Sequence, residues 1–129
     1  MGITLDVTSD PRIWVQSLDG QISRRDHSTL NLRVADLCES GKLAAMIVDA
    51  RRVRDYPPIS LLREIWNDGL EVLAGRHVAY LPPKGHDEEL ERLLQVYVDE
   101  WDITYQRFEA QEQAEDWCRD QLEAAGSAR

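Results

Sequence analysis

The apolar positions of this chain change period repeatedly, and each change marks an element. Ile3, Leu5 and Val7 alternate with polar residues, "SDPR" at 9–12 supplies turn chemistry, and "IWVQSLDG" at 13–20 resumes an extended run, which predicts a hairpin. From Asp26 the spacing becomes helical: Leu30, Val34, Leu37 and Cys38 fall at i, i+4, i+7 and i+8. Asp26 or Ser28 is the expected N-cap, and Gly41 the expected residue just past the helix end. "LAAMIVDA" at 43–50 is apolar without alternation, as in a parallel strand covered on both faces.

Pro57 and Pro58 then suit the first turn of a helix, where a missing amide hydrogen costs nothing. Leu62, Ile65, Trp66 and Leu73 mark its buried side until Gly75. "HVAYLPP" at 77–83 predicts a second interior strand. Leu90, Leu93, Leu94, Tyr97, Val98 and Trp101 give the clearest helical stripe, with Asp87, Glu88 and Glu89 complementing the dipole at its start. "ITYQRFEA" at 103–110 alternates like an edge strand, and a last helix buries Ala114, Trp117, Cys118 and Leu122 before a tail that is expected to fray from about 124. The order ββαβαβαβα predicts a single α/β domain over 1–129, with a five-stranded, mostly parallel sheet flanked by about four helices.

Composition narrows the class. The 129 residues are 43% hydrophobic and 30% charged, which suits one ordinary globular core. A formal net charge of -9 opposes nucleic-acid binding, because affinity for polyanions comes mainly from Lys and Arg. "MGITLDVTSD" has no secretory pattern and no run is long and apolar enough for a membrane span, so a cytoplasmic location is expected. Cys38 and Cys118 sit on apolar helix faces and are expected to pack as small hydrophobes. His27, His77 and His86 have no metal-ligand spacing with cysteine, and there is no Gly-rich phosphate loop or nucleophile elbow. No catalytic residue, metal or cofactor is expected, and His27 and His86 read as surface residues.

The element order, the "MIVDARRV" strand and the closing "YQRFEAQEQAEDWC" together resemble the STAS group, the anti-sigma-factor antagonist fold, and within it the bacterial SpoIIAA-like (STAS/SEC14-like) branch. Phe108, Ala114 and Trp117 match a closing F-x-x-x-x-x-A-x-x-W habit in which the aromatic docks under the sheet. The resemblance implies a regulatory domain that binds a protein partner, and in sporulation-type antagonists a phosphorylated serine at the helix after the central strand. Counted from Asp49, the matching positions here are Pro57 and Pro58, so no phosphorylation is expected; Ser60 is the nearest hydroxyl. Asp49 also brings a phospho-accepting receiver to mind, but the first strand enters a hairpin instead of an acidic pair and the last lacks the required Lys.

What remains is a basic cluster on an acidic protein. Ligands of open α/β sheets sit outside the carboxyl ends of the strands. Those ends lead into the loops at 20–27, 49–60 and 82–87, which carry Arg24, Arg25, Arg51, Arg52, Arg54 and Lys84, six of the 15 basic residues. They either offset Asp26, Asp49, Asp55 and Asp87 in solvated pairs or, with Tyr56 and Ile59, form a docking face. The expected function is a non-catalytic adaptor binding a protein partner there; the alternative is a small anionic or lipid-like ligand held by the same arginines. Homodimer formation through Trp66, Tyr97 and Trp101 competes with packing of those aromatics into the core.

Overall fold

A computed structural model of the chain describes residues 2–21, 23–55, 58–83 and 88–127. Nine elements follow in the order expected: β1 (Gly2–Val7), β2 (Ile13–Gln21), α1 (Arg24–Glu39), β3 (Ala45–Asp55), α2 (Ile59–Val72), β4 (His77–Leu81), α3 (Glu88–Glu100), β5 (Thr104–Arg107) and α4 (Gln111–Ser127). The strands lie side by side as β1-β2-β3-β4-β5, with β1 antiparallel to β2 and every later pair parallel. Both apolar runs, β3 and β4, are interior, and β5 is an edge.

Strand order decides where the helices go. Each of the three crossovers, through α1, α2 and α3, advances one place in the same direction. Right-handed connections therefore put all three helices on one face of the sheet. α4 follows the last strand, and it packs against β4, β3 and β2 from the other side. Two cores result. The larger holds Leu18, Val34, Met46, Ala50, Val78 and Val98 under α1–α3; the smaller holds Ile13, Val15, Ala45, Ile47, Ala79 and Leu81 against Ala114 and Cys118 of α4. Ala45, Ala79 and Ala114 are fully buried, and their small side chains let α4 approach the sheet closely. Phe108 and Trp117 dock there as the resemblance to the STAS group implied, with ring centroids 5.7 Å apart. Trp66, Tyr97 and Trp101 pack against the larger core and stay partly exposed.

The structure corrects the sequence reading at four places. α1 begins at Arg24, because Ser23 is the N-cap and its hydroxyl accepts from the amide of Asp26 at 3.1 Å. Arg24 and Arg25 therefore belong to a helical first turn instead of a loop. The charged segment after "MIVDA" is no turn: β3 continues to Asp55, with Asp19 opposite Arg52, Gly20 opposite Val53 and Gln21 opposite Asp55. β2 is long enough to pair with it, and a β-bulge lets Ala50 and Arg51 face Leu18 alone. The bulge shifts the inward parity from 46, 48 and 50 to Val53, so Val53 is buried while Arg51, Arg52 and Arg54 are exposed. His27 is half-buried under the larger core instead of lying on the surface. α4, finally, runs to Ser127, past the point where the tail was expected to fray.

Candidate functional site

The carboxyl edge of the sheet is built where β2 and β3 end together. Ser23 turns the chain into α1, and Pro58, at the N-cap of α2, supplies no side-chain hydrogen bond to that helix. Arg24 reaches across the two helices to Glu64, Nη1 to Oε2 at 3.0 Å, with both side chains more than half exposed. A pair so exposed is worth at most about 1 kcal/mol.

Arg51 is held differently. Its backbone amide and Nε both donate to Asp49 Oδ1, at 3.1 and 2.9 Å, and its Nη2 donates to Oδ2 at 2.9 Å, so the fork closes over the bulge at Ala50. Burial works to raise the Asp49 pKa, yet the Arg51 hydrogen bonds and the Arg51 and Arg52 charges outweigh it and hold the carboxyl below its ordinary range. The same Asp-x-Arg fork recurs before β2. There the Arg12 amide and Nε donate to Asp10 Oδ1 at 2.9 and 3.0 Å, and Nη2 donates to Oδ2 at 2.7 Å. One lock at both ends of the sheet marks Arg51 as a structural residue.

Arg25, Arg52 and Arg54 are exposed, and among the described residues none of the three joins an ion pair. Ile59, the first residue of α2, is 54% exposed, and Ser60 beside it is exposed too. The expected residues thus gather at one edge but divide by role: Arg24 and Arg51 are occupied, whereas Arg25, Arg52, Arg54 and Ile59 face solvent. Tyr56 and Lys84 lie outside the described residues.

A second feature was not read from the sequence. A cavity of about 80 Å³ lies between the sheet and α1–α3, walled by apolar side chains that include Met46, Val48, Ile65 and Trp66. Gln16, His27 and Asn31 line it as well. Gln16 is only 6% exposed, and its amide makes no hydrogen bond to any described residue. His27 Nδ1 is buried with no partner among the described residues, and burial lowers the His27 pKa to about 4, against a smaller opposing pull from Asp26. A buried polar group left unsatisfied costs about 1 to 3 kcal/mol. The available signals were a glutamine on the inward parity of β2, between Trp14 and Leu18, and a glycine, Gly69, in the middle of α2.

Elsewhere chemistry is quiet. Cys38 and Cys118 are buried free thiols; burial raises both pKa values, that of Cys118 to about 12, so they act as apolar fillers. Among the described residues no group of three His, Cys, Asp or Glu is placed to hold a metal, and no helix is long and apolar enough to cross a membrane.

No protein-family model and no curated protein matches the sequence. Solved structures do match in shape. The anti-sigma factor antagonist SpoIIAA in its unphosphorylated form superposes with a TM-score of 0.62 at 12% identity, over 92% of this chain and 98% of that one. An uncharacterized DUF3478 protein with a SpoIIAA-like fold from Shewanella loihica PV-4 gives 0.63 at 15% identity, over 91% and 92%. An anti-sigma factor antagonist from Mycobacterium paratuberculosis gives 0.59 at 16%, over 92% and 95%. Agreement over nearly the full length of each chain, in a five-stranded sheet with four helices, establishes that this protein has the SpoIIAA-like (STAS) fold.

Proposed function

We propose that the protein is a non-catalytic regulatory domain that works by docking a protein partner at the carboxyl edge of β2 and β3. The observation that carries this reading is the set of exposed arginines, Arg25, Arg52 and Arg54, that join no ion pair among the described residues, at the same edge as the exposed Ile59 on a chain of net charge -9. On so acidic a protein, three exposed guanidinium groups at the same edge as an exposed apolar side chain suit an acidic partner surface with an apolar centre. Support from shape is general: two of the structural neighbours are anti-sigma factor antagonists. Pro58 at the start of α2 leaves no hydroxyl at that N-cap, so docking here does not run through a phosphoserine at that position. A small anion held by the same arginines finds less support, because Arg24 and Arg51 are already paired with Glu64 and Asp49.

The test is charge reversal. Arg52→Glu with Arg54→Glu leaves stability within about 0.5 kcal/mol, as exposed substitutions usually do. A partner that copurifies stoichiometrically with the wild type should be lost with this variant and retained with Arg33→Glu, a substitution on the exposed side of α1. Equal recovery of the partner by all three proteins would refute docking at this edge.

A further inference from the structure

Helices packed on a sheet seldom leave spaces larger than a water molecule between them, and here a partly open cavity with room for about five waters or more remains. Its lining is mixed in a specific way. Most of the wall is hydrocarbon or aromatic, from Met46, Val48, Ile65, Trp66 and their neighbours. Polar side chains enter the lining from Gln16 on β2 and from His27 and Asn31 on α1, and the rings of Tyr80 and Tyr105, on β4 and β5, line it as well. Gln16 is more than nine-tenths buried, and among the described residues neither its amide nor the buried His27 Nδ1 has a hydrogen-bond partner. Gly69 of α2 lines the same space, where an added Cβ would meet only Asn31 Oδ1, at 3.7 Å.

These features do not suit a cavity that merely failed to fill. A core selected only for packing places an apolar side chain at the position of Gln16, since an amide there gives up most of its hydration. Purely apolar voids stay dry and take apolar guests, while polar sites hold water or a polar group. A wall that is mostly apolar with a few convergent polar atoms is the usual composition of a small-molecule site.

Charge defines the class of guest. No Asp, Glu, Lys or Arg is among the described residues that line the cavity. A guest with a full charge would be buried there without a counter-ion, which is prohibitive. The burial that disfavours protonation of His27 works in the same sense, keeping the ring neutral near pH 7.

We propose that this cavity is a binding site for a small, uncharged amphipathic molecule. Its hydroxyl or carbonyl group meets Gln16, His27 and Asn31, and its hydrocarbon or aromatic body lies among the apolar walls. The site is separate from the docking edge and does not depend on it: it lies under the helices and uses none of the arginines.

The experiment is an amide-detected NMR titration of the full chain at pH 7 with phenol, benzene and benzoate, repeated on Gln16→Met and Gly69→Ala. Saturable shifts are expected with phenol at residues 16, 27, 31 and 65–69, with benzoate binding at least about ten-fold more weakly because its charge is unpaired in the cavity. Gln16→Met should lower the phenol-to-benzene affinity ratio by about five-fold, the value of one neutral hydrogen bond. Gly69→Ala should weaken both neutral compounds by occupying the space. The proposal is overturned if phenol produces no saturable shift at these residues, if benzoate binds as tightly, or if Gln16→Met leaves the ratio unchanged. Gln16→Met replaces a largely buried amide with an apolar side chain of similar volume, so it is expected to fold; should it not, the Gly69→Ala titration and the benzoate comparison decide the matter.

Discussion

Replacing Gly69 with alanine tests the packing of the helical layer at its weakest point. The residue sits well inside α2, and its backbone is not in the left-handed region that reserves a position for glycine. An added Cβ would have Asn31 Oδ1 at 3.7 Å as its only neighbour within 4 Å, an ordinary van der Waals distance. Two contributions then have the same sign. Alanine in a helix interior is favoured over glycine by about 0.8 to 1 kcal/mol, mainly through the lost freedom of the unfolded chain. The methyl group enters a cavity, so it adds up to about 0.8 kcal/mol of buried hydrocarbon without overpacking. A stabilisation of about 1 to 2 kcal/mol is expected, which for a chain of this size raises Tm by about 3 to 8 °C. Chemical denaturation followed by far-UV circular dichroism and a thermal scan measure it, and m should not change. A fall in stability would refute the reasoning, for it would mean that the space beside Gly69 is filled in solution. If the gain in stability comes with weaker phenol binding, the missing side chain serves the cavity at the expense of the fold.

Other perturbations probe separate links. Asp102 ends α3 at φ 55°, the only non-glycine among the described residues with positive φ, while Ile103 donates to Val98 O at 3.0 Å in a helix-terminating turn. Asp102→Gly should therefore stabilise by about 1 kcal/mol in a denaturant melt, where a loss would show that the aspartate side chain compensates for its own strain. His27 has a folded pKa depressed to about 4 from 6.5, so the unfolded chain binds the extra proton first; stability is complete above about pH 6.5 and falls as pH drops toward 4. In His27→Phe that part of the loss, at most about 3 kcal/mol, should be absent from stability measured between pH 7 and 4. Asp49 is also depressed, so its contribution is present above the ordinary carboxylate range and disappears as pH falls through the folded value. Asp49→Asn should cost about 1 kcal/mol at pH 7 and much less near pH 2, and an equal cost at both would show that the Arg51 fork is not charge-assisted.

Much of this architecture is local information. Ile3 and Leu5, the run at 43–50, and the stripes from Leu30 to Cys38 and from Leu90 to Trp101 each encode a buried face by their spacing alone, because strand and helix periods differ. Once β2 begins a series of strands joined by helices, chain handedness leaves few places for those helices. The anion-rich composition was legible directly, and the docking of Phe108, Ala114 and Trp117 followed from the resemblance to the STAS group. Three matters depended on partners distant in the chain. "RRVRD" looked like a turn, since no local rule extends a strand through four charges; it is a strand because β2 offers backbone groups as far as Gln21 and a bulge keeps Val53 inward. Ser23 took the cap from Asp26 and Ser28 because the chain leaving β2 must turn at once into α1, which moved Arg24 and Arg25 onto a helix and one of them to Glu64. The cavity is the clearest case. Gln16, His27, Asn31 and Gly69 are unremarkable in their own segments, and only the stacking of three helices on one sheet face, with a glycine where they meet, leaves their polar atoms around a common space.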